Sequence, residues 1–259
     1  ADLMLRLGPQ VIQVSSAETA ELCKLIDNTY RAQSIAFANQ IGSICEVAGI
    51  DSYEAVNAVN TAYPRTRMFR PGLGAGGPCL SKDPAILHAY AASLGSNANL
   101  LKAGIDMNRQ STARIKQFIT EFVIAEKIDH PVVATLGVAF KGHPETDDAR
   151  STPAAIVSEA INELQGSGTI AGGSIRYCDP LVREYNGQSV ISSIEDALSG
   201  ANIVLFMNDH KMFCDLEVEL VLRDTARPLL IVDAWHNVRN PKSLQEHEQV
   251  RFLRLGDGS

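Results

Sequence analysis

The chain has 259 residues, enough for two domains of ordinary size, and a net charge of −7 from 23 Lys and Arg against 30 Asp and Glu. That balance excludes nucleic acid as a main partner, no apolar run reaches the ~18 residues a membrane span needs, and no signal peptide is visible. Five cysteines (Cys23, Cys45, Cys79, Cys178 and Cys214), odd in number and free of any C-x-x-C pair, predict reduced thiols in a cytoplasmic protein, with neither a disulfide framework nor a metal site.

The opening ADLMLRLGPQVIQVSS reads as one strand, Val11–Val14, before a helix. A lone strand is not stable by itself, so it is expected either to join a sheet further along or to be the remnant of another domain. Ser15 and Glu18 have the spacing of a capping box, and a helical pattern runs from there to about Ala48, closed by Gly49. Its apolar positions cover more than one stripe, which predicts a buried hub between domains or subunits. Asp51 and Glu54 start a shorter helix. Asp83-Pro84 reads as cap and first-turn proline of a helix over 84–94, and a further helix over about 99–126 completes an all-helical first half.

Between these helices lies RPGLGAGGPCLSKDP, residues 70–84. Gly72 to Gly77 fits the G-x-G-x-x-G spacing of a dinucleotide-binding turn, but the context is wrong. YPRTRMFRP precedes it instead of a buried strand, and SLGSNANL, about 20 residues on, has no acidic residue. The alternative is a tight loop that presents Cys79.

From Pro131 the periodicity changes. PVVATLGVAF suits a buried parallel strand, followed by a helix from about Pro153 to Leu164, the strand SIRYCDP and the short helix SIEDALSG. NIVLFMND, a helix over 210–223, PLLIVDAW and a last strand VRFLRL complete the pattern. Strands alternating with helices predict a doubly wound α/β domain, with its ligand crevice at the strands' carboxyl ends near Lys141, Asp179, Asp209 and Asp233. The first of these turns lacks G-x-G-x-x-G, so this domain is expected to bind a nucleotide without being the standard NAD site.

Several side chains could carry chemistry, and each has a plainer reading. Cys79 lies just before a helix and near Lys82, Arg65, Arg67 and Arg70, all of which favour thiolate; most free cysteines are simply small buried hydrophobes. The other four cysteines sit in apolar patterns and are expected to be buried. Asp83 is either a helix cap or an acidic partner of the thiol. Lys24, Asn28 and Arg31 form one polar stripe on the long helix, either a solvated face or the lining of a pocket. Arg150 precedes a helix and is either a surface residue or a phosphate contact.

AELCKLIDNTYRAQSIAFANQIGSICEVAGID, then PGLGAGGPCLSKDP, then LGVAFK…TDDARSTPA resemble, in that order, the nucleotide-sugar 6-dehydrogenases, the UDP-glucose and GDP-mannose dehydrogenase family. The arginine-rich lead-in looks most like the branch that oxidises UDP-N-acetylmannosamine. The resemblance implies an α/β protein overall: a remnant of a missing NAD-binding domain over 1–14, an all-helical dimerisation and catalytic domain over 15–128, and a Rossmann-like nucleotide-sugar-binding domain over 129–259. It implies Cys79 as nucleophile, Lys24 and Asn28 at the reacting carbon, and Asp83 as their acidic partner. Phe69, Arg70, Gly72, Gly76, Lys141 and Arg31 would meet the sugar nucleotide, and Lys82 and Arg150 would lie near NAD, itself bound mainly by the missing domain. The implied partners are a nucleotide-sugar substrate and a second copy of the chain, joined through the helix over 16–48.

The sequence departs from the family pattern at Pro78 and Ser81, and the stretch between Lys141 and TDD is about two residues longer than usual. Two other functions compete: a non-catalytic sugar-nucleotide-binding and dimerisation module, and an unrelated cysteine hydrolase using a histidine. Against the hydrolase, no histidine lies in the helical half's polar stripe.

Overall fold

The computed structural model describes residues 11–62, 64–214, 216–239 and 241–258. Of the expected 1–14 segment, residues 1–10 lie outside the described residues, and 11–14 carry no strand, so the strand expected at Val11–Val14 is not formed. Helix α1, Ala17–Ala48, is capped by Ser16 and not Ser15: the Ser16 hydroxyl accepts the Thr19 amide, and Gly49 closes the far end at φ 68°. Helix α2, Ser52–Ala62, starts at Asp51, whose carboxylate accepts the amides of Tyr53 and Glu54 at 2.8 and 3.2 Å. Helices α3, Asp83–Ser93, and α4, Asn99–Ala125, complete the helical half.

The second half is a five-stranded, all-parallel sheet in the order β2-β1-β5-β6-β7. Its strands are β1 Val132–Leu136, β2 Ser174–Cys178, β5 Ile203–Phe206, β6 Leu229–Asp233 and β7 Val250–Arg254. Helices α5 Ala155–Gly166, α6 Ile194–Leu198, α7 Val218–Asp224 and α8 Lys242–Gln245 connect them. The strand order reverses between β1 and β5, so the crevice at a switch point opens at their carboxyl ends. Side chains alternate across the sheet. Val133, Leu205 and Val232 face α5 and also Ile115, Ile119 and Phe122 of α4, while Ala134, Phe206 and Ile231 face α6 and α7. The helical half therefore supplies one layer over the sheet.

Two expectations need correction here. The helix expected over 210–223 is broken into a single 3₁₀ turn at Lys211–Phe213 and α7, because Leu216 leaves the helical path to bridge Val238. The hairpin β3 Glu184–Tyr185 and β4 Gln188–Ser189 was not expected; its turn is Asn186-Gly187, both at positive φ. Among the described residues no helix is long and apolar enough to cross a membrane.

Candidate active site

The glycine loop is a seam between the two halves. The Asn39 carboxamide of α1 accepts the Gly72 amide at 2.8 Å and donates to the Leu73 carbonyl at 3.2 Å, while Asn108 of α4 accepts the Ala75 amide at 3.2 Å. The loop then crosses the carboxyl ends of the strands. A Cβ at Gly72 would lie 3.2 Å from the Trp235 ring just after β6, and one at Gly76 would lie 2.8 Å from Pro153 before α5. Gly77, at φ 85°, donates to the Ser151 carbonyl and lies against the Phe140 ring beyond β1. At these glycines the backbone lies closely against the protein itself, with no room for a side chain. Neither Asn39 nor Asn108 was singled out from sequence, since a buried asparagine on a long helix carries no signal of its own.

Next along this loop comes Cys79, a free and half-buried thiol. Its carbonyl accepts the amides of Lys82 and Asp83, which joins the loop to α3. Asp83 does not cap that helix. Its side chain is buried and turns away, taking a 2.5 Å hydrogen bond from Asn28 Nδ2 on one oxygen and an ion pair from Lys82 on the other. Burial pulls the Asp83 carboxyl upward, yet the hydrogen bonds from Lys82 and Asn28 and the charges of Lys82 and Lys24 outweigh it and hold it below the usual carboxylate range. The Lys82 side chain is 60 % exposed and screened by water, so the buried Asn28 bond is the firmer of the two.

The polar stripe of α1 splits accordingly: Asn28 is buried in the site, Lys24 is exposed but close enough to act on Asp83, and Arg31 is exposed. Arg150 is exposed and forms a two-pronged pair with Asp148, which raises its already high pKa, with a smaller contribution from Cys79. Cys79, Lys24, Asn28, Lys82, Asp83 and Arg150 thus form one neighbourhood. Phe69 is exposed, and Arg70 lies 5.4 Å from the Tyr53 ring and bonds Asn57. Lys141 is half-buried beyond β1, its ammonium 5.3 Å from the Phe140 ring.

The carboxylates expected at the crevice are mostly spoken for. Asp179 and Asp233 are buried and serve backbone amides, and Asp209 accepts the Gly142 amide. Cys45 and Cys178 are buried as expected, but Cys23 and Cys214 are exposed, because an apolar run on a helix or loop still turns some positions outward.

The ionised Asp83 has a stability consequence with a definite sign. Its folded pKa is depressed, so its contribution is present above the unfolded value near 4 and fades as pH falls through the lower folded value. Urea midpoints of the parent and Asp83→Asn should therefore stand apart at neutral pH and converge below about pH 4. A gap that stays constant through acid would show that Asp83 does not enter the fold as an anion.

The central-domain model of the UDP-glucose/GDP-mannose dehydrogenase family matches residues 18–110, and that family's UDP-binding-domain model matches residues 134–240. A UDP-N-acetyl-D-mannosamine dehydrogenase of Methanocaldococcus jannaschii is 30% identical over 250 residues, 95% of this chain and 53% of that protein. An NDP-N-acetyl-D-galactosaminuronic acid dehydrogenase of Ralstonia nicotianae is 30% identical over 207 residues, 80% of this chain and 46% of that one. The structure of UDP-D-ManNAc dehydrogenase from Pyrococcus horikoshii superposes with a TM-score of 0.75 at 28% identity, covering 94% of this chain and 53% of that one. The chain spans about half the length of the curated relatives it matches. Both domain families match in the order in which the Cys79 loop and the parallel sheet follow one another here, and the chain belongs to the UDP-glucose/GDP-mannose dehydrogenase family.

Proposed function

We propose that the chain is the middle and C-terminal portion of a nucleotide-sugar 6-dehydrogenase that oxidises a sugar primary alcohol to a uronate. The substrate is of the UDP-N-acetylmannosamine or UDP-glucose type, in keeping with the names of the relatives. The observation that carries this reading is the placement of a free, half-buried Cys79 one turn before the buried Asn28–Asp83 pair, on a loop laid over the carboxyl ends of the sheet.

NAD, when bound, accepts a hydride in each of the two oxidations; Lys82 and Arg150 supply cationic charge beside Cys79 that suits its phosphates. The residues of this chain do the rest. The Cys79 thiolate adds to the aldehyde carbon, a C–S bond forms, and the carbonyl oxygen takes a proton to give a thiohemiacetal. Lys24, near the anionic Asp83, steadies that oxygen while it carries charge. Oxidation leaves a thioester, and water attacks its carbon, breaking the C–S bond and releasing carboxylate, thiolate and two protons. Asp83, held ionised and so a weak base, orients Asn28 and the water.

The α/β half holds the nucleotide near Lys141, and α1 joins two copies. Tyr30, Phe37 and Ile44 lie exposed at seven-residue steps on that helix, with Ile26 and Val47 beside them, a seam suited to a second helix. Two measurements test this reading. The 259-residue chain should bind UDP calorimetrically yet produce no NADH with UDP-sugar and NAD, since the G-x-G-x-x-G run Gly72 to Gly77 is packed inside the seam. It should sediment as a dimer that Phe37→Glu with Ile44→Glu converts to folded monomer. Absence of UDP binding, or a parent that stays monomeric at micromolar concentration, goes against the corresponding part.

A further inference from the structure

In a doubly wound domain the amides of the turn after the first strand ordinarily hold a phosphate. Here the amides of Val138 and Ala139, just beyond β1, both donate to Asp179 Oδ2, at 2.9 and 3.0 Å. The other carboxylate oxygen accepts the amides of Leu181 at 2.9 Å and Val182 at 3.1 Å. Asp179 is 2 % exposed and makes no ion pair among the described residues, so four backbone N–H groups are what compensate its burial. The same turn is gripped from the β5 side, where Asn208 Nδ2 donates to the Ala139 carbonyl at 3.2 Å and Asp209 accepts the Gly142 amide at 3.0 Å. Lys141 sits between these clamps and makes no ion pair among the described residues.

We propose that Asp179 is a built-in anion that fills the phosphate-holding amides of the β1 turn, so that the turn is closed to a nucleotide's phosphates and is locked with Lys141 facing the crevice. It is a positioning residue, since it reaches no ligand itself. The first part, a filled anion site, stands on the hydrogen bonds alone. The second, that locking this turn serves nucleotide binding, rests on the reading of the α/β half as the nucleotide-sugar site.

The test vacates the site and offers it a substitute. At fixed ionic strength, exchanging chloride for formate should raise the melting temperature of Asp179→Ala by several degrees and leave the parent unchanged, because only the variant has amides free to take a small carboxylate. Equal shifts in both proteins, or none in the variant, overturn the proposal. Asp179→Asn keeps the volume of the side chain and supplies a second measurement should the alanine variant not fold. Its NH₂ faces donors, so the turn loosens and UDP affinity should fall about tenfold, the equivalent of one or two lost hydrogen bonds. An Asn variant with parental UDP affinity overturns the positioning role. A parent that binds no UDP sinks the nucleotide-sugar reading instead, and the formate comparison still decides whether Asp179 fills an anion site.

Discussion

Cys79→Ser, placed in a full-length enzyme carrying this segment, is expected to cut uronate formation by about a thousandfold or more and to leave the fold intact. A hydroxyl near neutral pH is a far weaker nucleophile than a thiol, so the aldehyde is no longer trapped and the second oxidation stalls. The loop gives no reason for misfolding. Its backbone is held by Asn39 and Asn108, and the Cys79 carbonyl keeps its bonds to the Lys82 and Asp83 amides whatever the side chain. Serine also removes little volume from a position that is only half-buried. A cysteine that served only as packing would give the opposite result, with reduced stability and normal chemistry in whatever remains folded. Carboxylate formation and urea midpoint measured on the same preparation separate the two. A variant that makes uronate at the parent's rate ends the case for Cys79 as nucleophile.

The fold was largely legible because its elements are strongly periodic. The long apolar-and-polar pattern of α1, the runs PVVATL and LLIVD, and the glycines after helices each carry a local physical cause that needs no tertiary context. Failures came where local signals competed. Ser15 and Ser16 both offer a hydroxyl, and only the hydrogen bond to Thr19 chooses between them. The Asn186-Gly187 turn was readable, but its strands are two residues each, too short to show alternation. In the site, local spacing left Asn28 and Asp83 each with two readings and only the family resemblance put them beside Cys79; the structure joins the Asn28 and Asp83 side chains across 55 residues. Asp83 shows the limit, since an Asp before Pro84 reads as a cap until its side chain is seen turning to Asn28. Asp179 and Asp233 show it again: position at a strand's carboxyl end marks a crevice, but only the amide contacts show that these carboxylates face inward.

Asp233→Ala is expected to destabilise the chain by about 3–5 kcal/mol, the range for removing one partner of a buried ion pair. Asp233, fully buried at the end of β6, accepts the amides of Asn237 at 2.8 Å and Val238 at 3.0 Å and pairs with Arg254 of β7 at 3.0 Å. Removing it orphans those amides and leaves a guanidinium that is 11 % exposed with the Val238 carbonyl and the Phe252 ring, but no anion, beside it among the described residues. Arg254→Met should cost less, because the carboxylate keeps its amides, and the double variant should cost less than the two single changes summed. The effect should also reach the site. The turn after Asp233 carries Trp235, whose ring packs on Gly72 at the start of the Cys79 loop, and His236, stacked 3.4 Å from Tyr53 of α2. Loosening that turn frees the loop's leading end, so Cys79 should alkylate faster in Asp233→Ala under native conditions, read peptide by peptide against the exposed Cys23 as internal standard. If the urea midpoint barely moves, the turn is held by its apolar packing and not by the carboxylate. If stability falls but Cys79 labelling keeps pace with Cys23, the sheet and the Cys79 loop are mechanically separate, and the contact at Gly72 is not what holds the thiol in place.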